Sequence, residues 1–333
     1  MMSDNTGVAV YCEIKDDKIM PIAAEGLGVG RKLADSLGQE LAAVILGSGV
    51  GTYAQQAIEY GADKVYVVDD AQVKEYQPDV YVSVLENAAK KIKPQIVIMG
   101  QTDAGREIAP RMAYRLETAA ILDCVDLDID SDTKRLLQTK PVYGGNAQAV
   151  FVNETDPQIA TIRTKAMEAL EPDASRKGEV VNIPAEIDAA ALKTKIVQRV
   201  AEEVAGIKIE DASIVVSGGR GIGSVEGFKQ LEELATLMKG ALGASRPPCD
   251  NNWIPETAQV GLTGKIIAPD VYIAVAISGS SQHMSGCSGA KTIVAINKDK
   301  EANIFRYARY GVVGDWKKVL PAFTEKLKEL MAS

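Results

Sequence analysis

Short apolar, β-branched runs alternate with segments of helical period through the first half of the chain. GVAVYCEI (7–14) predicts a strand, AAEGLGVGRKLADSLGQ a helix and ELAAVILG (40–47) a second strand. TYAQQAIEYG then predicts a helix, KVYVVDD (64–70) a strand and VYVSVLENAAKKIK a long helix. The strand QIVIMG (95–100) and the helix GREIAPRMAYRLE follow. Strands and helices in alternation, joined by short turns, call for a mostly parallel sheet covered by helices on both faces.

The texture changes near residue 170. LEPDASRKGEVVNIPAEIDAAALKTK is rich in Pro, Lys and Glu with weak periodicity, and reads as a connector or a poorly packed domain end. IVVSGGRG (214–221) then opens a second strand, glycine turn and helix unit, with the helix expected from Glu226 to Lys239. VYIAVAISG (271–279) and KTIVAINKD (291–299) read as two further buried strands. In the last segment, Val319, Leu320, Phe323, Leu327, Leu330 and Met331 keep the helical period, with Pro321 starting or kinking that helix. The expected fold class is α/β, in two domains of mostly parallel sheet with flanking helices, residues 1–203 and 204–333.

Composition narrows the partners rather than the fold. With 333 residues, 46% of them hydrophobic and 25% charged, the chain buries a sizeable core without staples. A formal net charge of −8 and no Lys/Arg-rich run argue against nucleic acid. The four cysteines are scattered, no CxxC occurs, and one histidine cannot supply a His-rich metal site. With no disulfide framework, no signal-peptide pattern and no apolar stretch of membrane-spanning length, the chain reads as cytoplasmic, without membrane insertion.

Glycine-rich turns carry the candidate chemistry. Gly26, Gly28 and Gly30 in GLGVGRKL, and Gly47, Gly49 and Gly51 in LGSGVGTYA, resemble phosphate-cradling loops. Neither has the dinucleotide fingerprint, so both are weighed against plain turn glycines. SGGRG (217–221) is better placed, at the carboxyl end of a strand and before a helix, with Arg220 as a bidentate donor. A tight turn with a solvated arginine is the alternative. GASRPP (243–248) sets Ser245 and Arg246 before two prolines that restrict the backbone, and QVGLTGK (259–265) sets Thr263 between glycines. ISGSSQH ends a buried strand in Ser278, Gly279, Ser280, Ser281, Gln282 and His283, donors suited to a pyrophosphate. A lone histidine is more often exposed or satisfied in a core. AIN ends at Asn297, and GVVGD places Asp315 after a further glycine turn. Most of these loop ends close strands, so they should converge on one face of a single sheet.

In this order the motifs resemble the α subunit of electron transfer flavoproteins, the heterodimeric FAD carriers. The resemblance rests on VVSGGRG, GASRP, QVGLTGKIIAPDVYIAVAISGSSQH, KTIVAINKD and YGVVGDW, across most of residues 211–333. GQTDAGREIAPRMAYRL and PVYGGNAQA resemble the amino-terminal domain of the same family, the part that meets the partner subunit. The resemblance implies a doubly wound C-terminal domain holding an extended FAD. Arg220 and Ser245 would lie along the cofactor, and Arg246 would place its cation by the isoalloxazine. Gln259, the backbone of Val260, Gly261 and Leu262, and the Thr263 hydroxyl would approach the flavin. Ser278 to Gln282 would meet the pyrophosphate and ribityl region and His283 the flavin O2 edge. Asn297, Asp315 and Trp316 would hold the adenosine end. A positive or hydrogen-bonding group near N1/O2 stabilises the charge that appears on reduction, and so tunes the potential.

Departures from the family pattern touch the potential and the partner. Leu262 stands where Gln is usual, CSGAKT differs around Cys287, and Arg309 replaces an acidic residue. SRPP differs from the SRAA-like form of respiratory members and looks closer to electron-bifurcating members from anaerobes. The implied function is a redox carrier subunit, not a stand-alone enzyme, paired with a β subunit. It would serve acyl-CoA dehydrogenase-type flavoenzymes or an NADH-dependent bifurcating complex. A nucleotide-binding regulatory module without redox work is the alternative from another class. An NAD-dependent enzyme lacks an acid/base pair, since His283 is the only imidazole.

Overall fold

The computed structural model describes residues 4–15, 17–145, 147–187, 192, 194, 196–198 and 207–332. The chain divides into two compact units: Met1–Pro141 with Gln148–Val200, and Val142–Ala147 with Ala201–Ser333.

The first unit begins with β1 (Val8–Cys12), a small antiparallel pair of β2 (Ile14–Lys15) and β3 (Lys18–Ile19), and α1 (Pro21–Leu37). It continues through β4 (Leu41–Gly47), α2 (Ala54–Glu59), β5 (Lys64–Asp69), α3 (Pro78–Ile92), β6 (Ile96–Gly100) and α4 (Asp103–Arg115). β7 (Ala120–Cys124), β8 (Asp126–Ile129), β9 (Leu136–Val142), β10 (Ala147–Phe151), β11 (Gln158–Ile162) and β12 (Glu179–Asn182) follow. Seven strands form one parallel sheet in the order β12-β5-β4-β1-β6-β11-β7, and β10-β9-β8 make a separate three-stranded sheet. Alternate residues of one strand feed opposite cores. Val8, Val10 and Cys12 pack with Leu27 and Leu33 of α1, while Ala9 and Tyr11 pack with α3 and α4 through Leu85 and Ile108. Burial on both faces is why these strands read as continuous apolar runs.

Three expectations are corrected here. Gly26, Gly28 and Gly30 form neither a phosphate loop nor a turn, because all three are buried inside α1. Gly26 and Gly30 face Val10, and a Cβ on Gly28 would stand 2.1 Å from the Glu168 carbonyl oxygen. On the same helix the buried Glu25 accepts the Lys165 N–H at 2.8 Å, and burial pushes its carboxyl up to about 7. The glycines of LGSGVG do cradle an anion, but it is the chain's own. The N–H groups of Gly49 and Gly51 donate to the two Asp69 oxygens at 2.7 and 3.3 Å. Thirdly, the expected connector contributes β12, which pairs with β5 at the sheet edge. Of its remainder, residues 188–191, 193 and 195 lie outside the described residues.

The second unit runs β13 (Ile214–Gly218), α5 (Val225–Leu237), β14 (Ala241–Ala244), α6 (Arg246–Asp250), β15 (Val271–Val275), α7 (Ser281–Cys287), β16 (Thr292–Asn297), β17 (Tyr310–Val313) and α8 (Trp316–Ala332). Its five strands are all parallel, in the order β14-β13-β15-β16-β17. From β13 the chain steps out to β14, then returns past β13 to β15, so the winding reverses between β13 and β15. Open parallel sheets bind ligands at the carboxyl ends of the strands flanking such a reversal. Phe228 and Leu231 of α5 and Trp316 and Leu320 of α8 cover one face, and Met284 and Cys287 of α7 the other. β14, α6, α7 and β17 were not predicted. α8 begins at Trp316, with Pro321 inside it, and Phe323, Leu330 and Met331 of its periodic stripe stay exposed.

Gly28→Ala tests the packing of α1 by sign. Intrinsic helix propensity favours alanine by roughly 1 kcal/mol, whereas a methyl group must displace the Glu168 carbonyl. Net destabilisation of about 1–3 kcal/mol is expected, read from the denaturant midpoint. A midpoint that rises would show that residues 165–170 do not rest on this helix.

Candidate functional site

The loops that leave β13, β14 and β15 interlock at the reversal point. The Gly219 N–H donates to the Val275 carbonyl at 2.9 Å, and a Cβ on Gly219 would lie 2.1 Å from the Ala276 carbonyl oxygen. Ala276 itself holds φ +54°. The Ser245 N–H reaches back to the Gly218 carbonyl at 3.0 Å. SGGRG, GASR and ISGSS therefore stand edge to edge, as the strand-end argument requires. Arg220 and Arg246 extend into solvent from two of them. Arg246 is the first residue of α6, which its two prolines help to start, and its Nε lies 3.4 Å from Asp250 Oδ2. Both partners of that pair are exposed, so the interaction is weak and screened.

After β15 the chain exposes Ser278, Ser280, Ser281 and Gln282 along the same edge. Gly279 has φ +78°, and a Cβ there would sit 2.3 Å from the Ile304 nitrogen, so only glycine lets this loop pass. Ser280 caps α7 by accepting the His283 N–H at 3.4 Å.

The Gln259–Lys265 loop turns its backbone inward. Val260 N–H donates to the Ala244 carbonyl at 2.8 Å, Gly261 N–H to Lys265 at 3.2 Å and Leu262 N–H to Gln282 at 2.8 Å. The buried Gln259 donates through Nε2 to Thr263 Oγ1 at 3.0 Å. The N–H groups of Val260, Gly261 and Leu262 are thus all spent on carbonyls within the chain. What the loop presents is the Leu262 side chain, 60% exposed, and the exposed Thr263.

His283 also turns inward and is only 5% exposed. A carbonyl can only accept, so the Nδ1–H donates to Val260 O at 3.0 Å, leaving Nε2 to accept the Tyr272 hydroxyl at 2.8 Å. Burial holds the imidazolium off and lowers its pKa to about 4. With both nitrogens engaged by Val260 and Tyr272, the imidazole has the contacts of a satisfied core histidine. Trp316 is buried too, and its indole N–H donates to the Gly221 carbonyl at 3.0 Å, bracing SGGRG from beneath. Asn297 donates to Ile277 O at 2.8 Å and accepts the Asp299 N–H at 3.0 Å, so it holds the ISGSS loop. Asp315 accepts the Lys317 N–H at 3.0 Å at the start of α8 and is exposed.

Sequence reasoning missed Tyr272. A tyrosine inside the apolar run VYIAVA was its signal, since a buried hydroxyl needs a partner. It also missed that Val142–Ala147 belongs to the second unit, where the Tyr143–Gly145 turn packs on α7. Among the described residues no His/Cys/Asp/Glu group could hold a metal, and all four cysteines are free and buried. No described helix is long and apolar enough to cross a membrane.

Comparison with known proteins agrees with this architecture. The electron transfer flavoprotein domain family matches residues 8–188, and the electron transfer flavoprotein FAD-binding domain family matches residues 208–288. The chain is 42% identical to an electron transfer flavoprotein subunit alpha of Thermoanaerobacterium thermosaccharolyticum, over 99% of this chain and 100% of the relative. It is 40% identical to the corresponding subunit of Megasphaera elsdenii, over 98% of each. Protein FixB of Clostridium saccharobutylicum is 38% identical over 100% of this chain and 99% of the relative.

The buried histidine gives a pH dependence of defined sign. Its folded pKa lies below the unfolded value of about 6.5. Above that pH both states are neutral there and nothing changes. As pH falls from about 6.5 towards about 4, the unfolded state takes up a proton that the native ring refuses, and stability drops. The contribution reaches about 3 kcal/mol at full effect. His283→Asn should flatten this part of the acid limb relative to the parent. Parallel unfolding curves for the two proteins between pH 7 and 4 would rule the effect out.

Proposed function

As the chain belongs to the electron transfer flavoprotein family, in its alpha-subunit and FixB branch with an electron-transfer role, we propose that it carries FAD on the second unit, at the reversal between β13 and β15. The observation that carries this reading is the interlocked edge itself. Gly219 and Gly279 sit where no Cβ fits, and exposed hydroxyl, amide and guanidinium groups stand in a row above them.

That donor set fits the cofactor. A pyrophosphate needs several hydrogen-bond donors and a cation, which Ser278, Ser280, Ser281, Gln282 and Arg220 supply. Arg246 would place positive charge by the flavin ring, and Thr263 a hydroxyl, while Leu262 would offer an apolar contact. Ser245, Gln259, Val260, Gly261, Gly279 and Asn297 would shape the pocket from behind, with His283 and Trp316 as buried braces and Asp315 at the adenosine end. When bound, the flavin supplies the electron-accepting and electron-donating chemistry; the protein supplies its position and the surrounding field.

In this reading the chain works in the cytoplasm as a heterodimer with a beta subunit. It relays electrons between flavin dehydrogenases, acyl-CoA dehydrogenases among them, and an acceptor. The SRPP sequence supports a version in which NADH delivers hydride to a second flavin in the partner, within an electron-bifurcating complex.

The visible spectrum of the co-purified heterodimer during stepwise reduction tests the proposal. Flavin absorbance is expected, with NADH bleaching it in the bifurcating version and leaving it untouched in a simple carrier. Arg246→Ala should lower the midpoint potential by about 60 mV, a tenfold shift in a one-electron equilibrium. A colourless complex that binds only AMP or ATP would sink the carrier and leave the nucleotide-binding module.

A further inference from the structure

Tyr272, His283 and Val260 form a continuous chain of hydrogen bonds across three elements of the second unit. Tyr272 lies in β15 with no exposed surface, and burial raises its pKa well above the usual tyrosine range, so its hydroxyl stays a donor. It donates to His283 Nε2 at 2.8 Å, and His283, on α7, donates from Nδ1 to the Val260 carbonyl at 3.0 Å. Val260 is held from its other side as well, because its N–H donates to the Ala244 carbonyl of β14 at 2.8 Å. Two residues on, Leu262 N–H donates to Gln282 on α7 at 2.8 Å. The exposed pair Leu262 and Thr263 is thus carried on a loop whose start is tied to β14 and, through the imidazole, to β15.

We infer that Tyr272 and His283 are positioning residues, a neutral relay that fixes the Val260–Thr263 loop, and so sets where Leu262 and Thr263 meet the cofactor. This rests on the proposed FAD site. The relay differs from ordinary core packing in its polarity. Removing the Tyr272 hydroxyl leaves a buried acceptor on Nε2, and removing the imidazole frees the Val260 carbonyl, so either change loosens the loop. It differs from direct tuning of the cofactor in its charge. A ring already bonded at both nitrogens adds no positive charge beside the flavin and gives it no proton.

Because His283 is the only histidine in the chain, ring ¹⁵N NMR reads it directly. The sample is the FAD-loaded heterodimer with ¹⁵N-histidine in this subunit alone. One protonated Nδ1 and one unprotonated Nε2 are expected, unchanged from pH 8 to pH 5 and unchanged on reduction with dithionite. In Tyr272→Phe the Nε2 resonance should shift while Nδ1 stays protonated, and the FAD dissociation constant should rise about tenfold. His283→Leu should lose affinity at least as far. His283→Asn, whose amide nitrogen overlies Nδ1 and can donate to Val260, should recover most of that loss. An Nε2–H tautomer, an imidazolium appearing on reduction, or unaltered FAD affinity in His283→Leu would overturn the relay. A heterodimer that purifies without flavin instead refutes the FAD reading, and the ring tautomer in that same sample still decides the hydrogen-bond chain.

Discussion

Gly219 approaches the Ala276 carbonyl so closely that no side chain fits between them, and the candidate site is built outward from that contact. Five parallel strands all end on one edge, so every connection that leaves them competes for the same small volume. The reversal of winding between β13 and β15 opens a crevice there, but only if the two loops can sit against each other. Gly219 makes that possible on one side. Gly279, pressed on the Ile304 backbone, makes it possible on the other. With the floor closed by glycine backbone, the serines, Gln282 and the two arginines are left standing above it.

The first unit shows the same architecture with its strand ends occupied from within the chain. Its sheet is also parallel, and its winding reverses between β1 and β6. Its strand ends are filled by the chain's own carboxylates. Asp69 takes the amides of Gly49 and Gly51, while Glu13, just beyond β1, accepts the Thr102 hydroxyl at 2.7 Å at the start of α4. Burial pushes the Glu13 carboxyl up to about 7, the cost of placing an acid in that crevice. Glycine-rich turns therefore mean opposite things in the two halves. In one they receive an internal anion, and in the other they leave polar side chains facing outward.

This contrast marks how far the sequence could be read. The alternation of apolar runs and helical periods revealed both parallel sheets, since a doubly covered strand advertises itself by continuous burial. Elements whose formation depends on neighbours escaped. ALGA is too small and glycine-containing to read as a strand, yet it pairs with β13 along its whole length. YGVV looked like a turn but forms the sheet edge, and α7 is a serine-rich segment made helical by a cap and by packing. The strand-end motifs were legible as a group because strand ends must converge. Which side chains point outward was not. His283 turns inward for a tyrosine eleven residues earlier, and Trp316 for a carbonyl 95 residues away. Spacing along the chain contains no trace of either partner.

The inward turn of these side chains divides the labour in the site. Inward-turned groups hold geometry and stay neutral: the buried imidazole with its lowered pKa, the buried tyrosine hydroxyl and indole, and the half-buried Asn297 amide. Charge is left to groups in solvent, chiefly Arg220 and Arg246, and Arg246 already shares its guanidinium with Asp250. A charge buried beside a flavin would act strongly but would have to be desolvated first, at a cost of several kcal/mol. An exposed guanidinium acts more weakly and is screened, yet it can move and be shared. For the proposed carrier, that arrangement would hold the cofactor from a bonded interior and leave adjustable charge at the surface.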